Sequence, residues 1–470
     1  MKKFCCMVLL VLCVVGLPVS AAAQGYDLPA EISVTAAEAY FINLDTGLVV
    51  YEKDADTPRS IASLTKLMTS LLLMENVQDL ENTMITAERN LYVGSIIDPS
   101  SSNADIRPGE SVSALNMLYA MMLPSANEAA EAVGYYLSGG NLQNFYAMMN
   151  QRAKELGCTN TNFASTNGLV DQEGGNWSTA HDVALIAQEC WKHEIFRTVC
   201  GTQLYWMPMT DNSAHNYAQF PKQNPNAAYY IQSTNRMMSP NSGVYRSYIR
   251  GIKTGSTFSA GRNFASAAVN ERGETFIGVV LGCPYDPPED GYAYSFHDTA
   301  AIYDWIFSSF SVRPTLDTTT PITEVRVEWS SESDRLQLVP ASDLKTILPN
   351  DSDDALTTTF DVPEQVYAPV KAGDRIGSVT LTLEGREIGT VDLLAARDIE
   401  RNTFLFLVGK TGEFLTGTYV KVVIVLTVVF FVGYALIAVR MERARKAQLR
   451  RQKRRAKDKR FDDFPPQQQK

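Results

Sequence analysis

The chain has 470 residues, a formal net charge of −10 and 45% hydrophobic residues. That length exceeds one ordinary domain, and so large an apolar share is not that of a disordered chain. Only four histidines are present, none in an H-E-x-x-H pattern, and no C-x-x-C spacing occurs, which argues against a metal centre and nominates no cofactor.

Met1-Lys2-Lys3 precede a mostly apolar run over residues 4–19, followed by Ala21-Ala22-Ala23-Gln24. A positive start, a short apolar stretch and a small-residue site predict a secretory signal over 1–23, cut after Ala23. Of the cysteines only Cys158, Cys190, Cys200 and Cys283 then remain, with a Cys190–Cys200 pair or four reduced thiols both open.

Residues 24–311 read as one α/β domain. Residues 39–43 and 48–52 flank Asp45-Thr46-Gly47, and 264–269 and 275–281 flank Asn270-Glu271-Arg272-Gly273, so two hairpins are predicted. A strand is expected over 248–253 and helices over 114–123, 127–137 and 145–156. Strands from both ends of the domain with helices between them imply an antiparallel sheet covered by helices.

Three short elements within it carry chemistry: Ser63-Leu64-Thr65-Lys66, Ser125-Ala126-Asn127 and Lys253-Thr254-Gly255. Ser63 opens an amphipathic helix on which i and i+3 share a face, so Ser63 and Lys66 point together. A serine hydroxyl needs an adjacent base, and a desolvated lysine beside a second cation can serve. Ser125 and Asn127 fall in a loop between helices, where a hydroxyl can pass a proton and an amide can orient the lysine. Ser125 is also a candidate helix N-cap. Lys253 and Thr254 sit at a strand end, ready to bind a carboxylate, and Gly255 lets the backbone approach a ligand closely on an edge strand. None of these signals is specific alone. Ser342-Asp343-Leu344-Lys345 repeats the first, Lys410-Thr411-Gly412 the third, and S-x-N recurs at Ser101, Ser165, Ser233 and Ser239.

From about residue 312 the pattern changes to strand-like alternation (Val325, Val327, Trp329; Leu336, Leu338; Val379, Leu381, Leu383; Ile388, Val391, Leu393), which predicts a small all-β domain over 312–408. Asp351-Ser352-Asp353-Asp354 reads as a solvated loop. Residues 419–439 are apolar apart from Lys421 and long enough to cross a bilayer of about 30 Å. The segment 440–470 holds 13 Lys or Arg and four acids, so the positive-inside rule places it in the cytoplasm and the preceding domains outside. Residues 24–439 then carry 27 basic and 48 acidic residues, a balance unsuited to nucleic acid.

The set S-x-x-K, S-x-N and K-T-G resembles that of penicillin-binding proteins and β-lactamases. The surrounding residues sharpen the likeness. Asp45-Thr46-Gly47, Ala62-Ser63-Leu64-Thr65-Lys66-Leu67-Met68-Thr69, Ser125-Ala126-Asn127-Glu128-Ala129-Ala130, Asn167-Gly168-Leu169, Ser178-Thr179-Ala180-His181-Asp182 and Gly251-Ile252-Lys253-Thr254-Gly255 resemble the serine-type D-alanyl-D-alanine carboxypeptidases, the low-molecular-mass penicillin-binding proteins. Tyr367-Ala368-Pro369-Val370-Lys371-Ala372-Gly373 is similar to their C-terminal domain, and the likeness spans roughly residues 35–400.

The resemblance implies the penicillin-binding, β-lactamase-like transpeptidase fold. It also implies that Ser63 attacks the penultimate D-alanine carbonyl of a peptidoglycan stem peptide, with Lys66 as base and Ser125 and Asn127 as proton shuttle and orienting amide. Lys253, Thr254, Gly255 and Ser256 would bind substrate, the Ser63 and Ser256 amides forming the oxyanion hole. β-Lactam antibiotics would acylate Ser63. Glu128 stands where relatives carry Asp, and Ser295-Phe296-His297-Asp298 lacks the arginine that many use to bind the terminal carboxylate, which leaves Arg262 as the substitute. A true span also replaces the amphipathic helix in which relatives often end. Rival readings are a β-lactamase, a DD-endopeptidase or a catalytically silent wall-binding scaffold. Against the first, Glu173-Gly174-Gly175-Asn176 has the wrong spacing for a deacylating E-x-x-x-N.

Overall fold

The computed structural model describes residues 25–92, 101–169, 175–208, 228–350, 356–383 and 385–461. The expected signal over 1–23, the acidic loop 351–354 and the last residues of the tail lie outside these ranges.

β1 (Glu38–Asn43) and β2 (Val49–Lys53) form the first expected hairpin, turning at Gly47 with φ +70°. A 3-10 turn (Ala62–Thr65) runs directly into α1 (Lys66–Asn76). The short β3 (Met84–Thr86) and β4 (Ser111–Ser113) pair ahead of α2 (Ala114–Met122), α3 (Asn127–Leu137) and α4 (Leu142–Glu155). Then come α5 (Ala180–Lys192), α6 (Glu194–Cys200) and the antiparallel pair β5 (Leu204–Pro208) and β6 (Ala228–Gln232). Local capping accounts for several helix starts: Ser113 Oγ accepts from Asn116 N and Thr179 Oγ1 from Asp182 N.

β7 (Ile249–Thr257), β8 (Gly261–Val269) and β9 (Thr275–Cys283) complete an antiparallel sheet of order β2-β1-β9-β8-β7, with α7 (Tyr294–Ser309) after it. Strand periodicity sorts its side chains into two cores. Tyr40, Ile42, Ala265, Ala267, Ile277 and Val279 join the cluster containing Leu67 and Leu71 of α1 and Val183 of α5. Their neighbours Phe41, Phe264, Phe276 and Val280 join the one containing Tyr303 and Ile306 of α7. Both faces are therefore covered by helices, and each large apolar side chain so buried contributes about 1.5–3 kcal/mol. β7 is left at the edge.

The chain falls into two compact units. One comprises residues up to Asp317 with Ser342–Phe360 and Val379–Val391; the other comprises Thr318–Ala341, Asp361–Ser378 and Asp392–Lys470. Beyond α7 the described residues up to 395 hold strands only: β10 (Phe310–Leu316), β11 (Thr323–Glu328), β12 (Arg335–Pro340), β13 (Leu344–Pro349), β14 (Leu356–Asp361), β15 (Gln365–Tyr367), β16 (Arg375–Leu383) and β17 (Arg386–Ala395). β10 pairs with β13, while β12 lies between β11 and β17 and β15 joins β11 in parallel. The alternating residues expected to be inward are buried, Val325, Leu336, Leu338, Val379, Leu381 and Leu393 among them.

α8 (Thr403–Thr416) precedes α9 (Thr418–Phe461), whose apolar part is long enough to cross a membrane and has none of its residues buried. The four cysteines are free and buried, so Cys190 and Cys200 do not pair; the Cys190 thiol donates instead to the Leu67 carbonyl at 3.4 Å.

Candidate active site

The serine and lysine of the first motif are set by a change of helix type. Ser63 lies in the 3-10 turn and Lys66 begins α1, whereas the sequence reading placed both on one α-helix. A 3-10 turn eclipses i and i+3, and Lys66 Nζ stands 3.0 Å from Ser63 Oγ. The turn is held in an unusual backbone: Ala62 has φ +47°, and Gly168 packs so closely behind it that a Cβ there would lie 1.9 Å from the Ala62 carbonyl oxygen. Only glycine fits at 168.

Lys66 is fully buried and donates also to Asn127 Oδ1 at 2.8 Å and to the Asn167 carbonyl at 2.9 Å. Loss of water on burial, with Lys253 nearby, holds its pKa well below the ordinary lysine value, against the opposing pull of Glu128 and Glu131. The Asn127 amide is oriented from its other end, because Nδ2 donates to Ser101 Oγ at 2.6 Å. Glu128 accepts from the Ala104 amide at 2.6 Å, and burial raises its carboxyl to a pKa of about 7.

Ser125 is not the cap that its position suggested. The N-cap of α3 is Ala126, with no side-chain bond, and Ser125 adopts φ +69°. Its Oγ is buried and has no hydrogen-bond partner. A buried hydroxyl left unpaired costs free energy unless a ligand completes it.

The third motif lies inside a strand, not at its end, because β7 runs on to Thr257. Residues 254–257 (Thr, Gly, Ser, Thr) carry no apolar alternation, and only pairing with β8, Thr254 against Phe264 and Ser256 against Arg262, extends the strand. Gly255 serves a different neighbour from the one expected: a Cβ there would lie 2.8 Å from the Ile61 carbonyl oxygen and 3.1 Å from Leu64 N, so its bareness lets β7 approach the turn that carries Ser63. Lys253 is buried, donates to the Thr254 carbonyl at 2.8 Å, and is lowered by burial to a pKa of about 7. The Thr254 and Thr234 hydroxyls lie 2.6 Å apart.

Ser63, Ser125, Thr254, Gly255 and Ser256 line one cavity of about 160 Å³, with Ser102, Thr234 and Ser295. Lys66 and Asn127 stand behind it, tied to Ser63 by the bonds above. Ser295 thus lies in the cleft without a charge, and Arg262 shares the lining.

The other S-x-N triplets are not bystanders. Ser101 holds Asn127; the Ser165 triplet supplies Asn167 and, through Thr166, accepts the Thr69 hydroxyl at 2.6 Å; the Ser233 triplet supplies Thr234; Ser239 and Asn241 line an adjoining cavity. Sequence reasoning missed these, because the recurrence of the triplet told only against its specificity. Among the described residues no group of three His, Cys, Asp or Glu is placed to hold a metal.

The model of the family described as D-alanyl-D-alanine carboxypeptidase matches residues 24–284, and that of the penicillin-binding protein 5 C-terminal domain matches 310–401. The D-alanyl-D-alanine carboxypeptidase DacF of Bacillus subtilis is 25% identical, over 84% of this chain and 93% of its own length. A D-alanyl-D-alanine carboxypeptidase of Streptomyces sp. is 30% identical, over 56% of this chain and 85% of its own. The crystal structure of penicillin-binding protein 5 from Haemophilus influenzae shares the fold, with a TM-score of 0.61 at 22% identity over 80% of this chain and all of that one.

Proposed function

The chain belongs to the D-alanyl-D-alanine carboxypeptidase family and is a serine-type DD-carboxypeptidase of the low-molecular-mass penicillin-binding kind; from that premise we propose that it removes the terminal D-alanine of peptidoglycan stem pentapeptides through an acyl-enzyme on Ser63. The observation that carries this is the 3.0 Å approach of a fully buried, pKa-lowered Lys66 to Ser63 Oγ. A neutral amine has two N–H donors and one lone pair. Asn127 Oδ1 and the Asn167 carbonyl can only accept, so they take the two donors and leave the lone pair for the Ser63 proton.

Attack on the penultimate D-alanine carbonyl forms an ester to Ser63. The departing amine takes its proton through Ser125, whose unpaired hydroxyl lines the cleft. Lys253 and Thr254 hold the terminal carboxylate and the Ser63 and Ser256 amides polarise the carbonyl. Water then releases the shortened peptide. β-Lactams acylate Ser63 in the same way. α9 anchors the enzyme in the membrane, with residues 440–470 in the cytoplasm and the catalytic domain outside.

Two measurements test this. The full chain in detergent is incubated with a stem pentapeptide and labelled penicillin; D-alanine release and labelling are expected, and both vanish in Ser63→Ala. Release persisting in that variant sinks the mechanism. For topology, protease added to intact cells leaves residues 443–460 uncut, and external cleavage there refutes the orientation.

A further inference from the structure

Lys66 meets its two carbonyl acceptors from two different elements. Asn127 Oδ1 belongs to α3, whereas the Asn167 carbonyl belongs to the turn 165–168. That turn is braced within its own loop. Asn176 Oδ1 accepts from the Ala164 and Ser165 amides at 2.6 and 3.0 Å, and Ser165 Oγ accepts from Gly168 N at 3.1 Å. Two groups of Thr166 tie it outwards. Its carbonyl accepts the Thr69 hydroxyl of α1, and its own hydroxyl donates to Glu131 Oε2 of α3. Glu131 lies just beyond the motif stretch 125–130, and no step of the mechanism above uses it.

Asn127, Glu131 and Gly134 follow one another on α3 at i, i+4 and i+7, so they share one face of the helix. Gly134 is bare where the turn docks, since a Cβ there would lie 2.6 Å from Thr166 Cγ2. Thr166, itself fully buried, therefore sits against α3 with its methyl at Gly134 and its hydroxyl on Glu131. The carboxylate thus joins the two elements that supply both acceptors. The other nearby acid, Glu128, is engaged elsewhere: its Oε1 accepts from the Ala104 and Ile106 amides at 2.6 and 3.5 Å. The charged and titratable groups around this point are Lys66 of α1, Lys253 of β7, Tyr146 of α4 and the two glutamates of α3. Burial raises the Glu131 carboxyl, against the Thr166 hydroxyl and the Lys66 charge, which both favour its ionised form.

We propose that Glu131 is a positioning residue for acylation: through Thr166 it keeps the two Lys66 acceptors in register, and its charge offsets the one that Lys66 gains on taking the Ser63 proton. The inference rests on Lys66 being the base for Ser63. An ammonium formed at a fully buried nitrogen, with Lys253 close by, is stabilised most by a fixed negative group that needs no reorganisation. Glu131 supplies that group without touching the reacting atoms. The bonds made and broken are those already given. The Ser63 ester forms, the C–N bond breaks, and the proton passes from Ser63 Oγ to Lys66 Nζ and on through Ser125 to the departing nitrogen.

The test is the second-order rate of labelling by penicillin as a function of pH, measured on the full chain in detergent. Glu131→Gln keeps an acceptor for Thr166 and removes only the charge. Its plateau rate is expected to fall and its acid limb to move about one pH unit lower, because Lys66 loses a neighbouring negative charge and gives up its proton more readily. Thr166→Val keeps the charge and loses the bond. Its plateau should fall about fivefold, the loss of one hydrogen bond, while its acid limb moves less than that of Glu131→Gln. Glu128 is unchanged in both variants, so the difference between them isolates the charge at 131. Glu131→Asp, which keeps the charge, should bring the limb back towards that of wild type. A lowered rate with an unmoved limb in Glu131→Gln overturns this inference alone, as does a limb in Glu131→Asp displaced as far as in Glu131→Gln. Absence of labelling of wild type at every pH overturns the Ser63 reading and this one with it.

Discussion

At the residue scale, the site runs on two lysines taken out of water. In the proposed mechanism Lys253 holds a carboxylate and so must be charged, yet burial brings its pKa to about 7, so kcat/KM for the pentapeptide should fall as pH rises above that value. The acid-side loss reports protonation of Lys66, whose pKa is also lowered. The same burial has a stability signature. The unfolded chain keeps a proton on Lys253 up to about pH 10.4, whereas the folded protein gives it up near 7. Unfolding takes up that proton in between, so stability rises with pH across the interval and is lowest below it. Lys253→Met is therefore expected to raise Tm most at about pH 6 and least near pH 10, and a pH-independent gain would contradict the burial argument. Gly168 gives a second prediction. Gly168→Ala forces a clash with the Ala62 carbonyl and should cost on the order of 3 kcal/mol or more, with loss of penicillin labelling. Gly109→Ala, with similar φ but open space, should cost only about 1 kcal/mol. Equal costs from chemical denaturation would show that the Ala62 contact is not what constrains the turn.

At the element scale, identical letters diverge because their surroundings do. Lys253-Thr254-Gly255 lies on edge strand β7, while Lys410-Thr411-Gly412 is one turn of helix α8, with Lys410 5.0 Å from the Trp329 ring centroid and paired to Glu413 at 2.8 Å. Lys253→Ala should abolish D-alanine release and Lys410→Ala leave it at the wild-type rate; a matching loss in both would mean the strand context is not what matters. Elements with strong local signals were legible in the sequence: the Asp45-Thr46-Gly47 hairpin and α3, found over the expected residues 127–137. What escaped was decided by tertiary contact. β7 was expected to end at 253 and is extended by β8, Ser125 was expected to cap a helix and is instead held at positive φ, and the 3-10 turn at Ser63 follows from Gly168 and Gly255 pressing on it. The three motif residues that meet, Ser63, Lys66 and Asn127, were legible from order and context. Their support by Ser101, Asn167 and Thr234 was not, because each acts through one backbone or hydroxyl group with no periodic pattern to announce it.

At the scale of the whole molecule, an acidic chain over residues 24–439 continues in sequence into an apolar helix with a basic end. α9 spans 44 residues, about 66 Å at 1.5 Å per residue, more than twice a bilayer core of about 30 Å. The basic residues from Arg440 to Arg460 are therefore displayed on one continuous rod. A further whole-molecule property follows from β7 standing last in its sheet. On the proposed mechanism substrate and penicillin lie along that edge, and left empty it offers backbone groups with which a strand of another copy can pair in concentrated or warmed protein. Light scattering during heating should begin at lower temperature for the free enzyme than for the penicillin-acylated one, and coincident onsets would show the edge to be harmless. On this account the inhibited enzyme is also the form that stores and crystallises best.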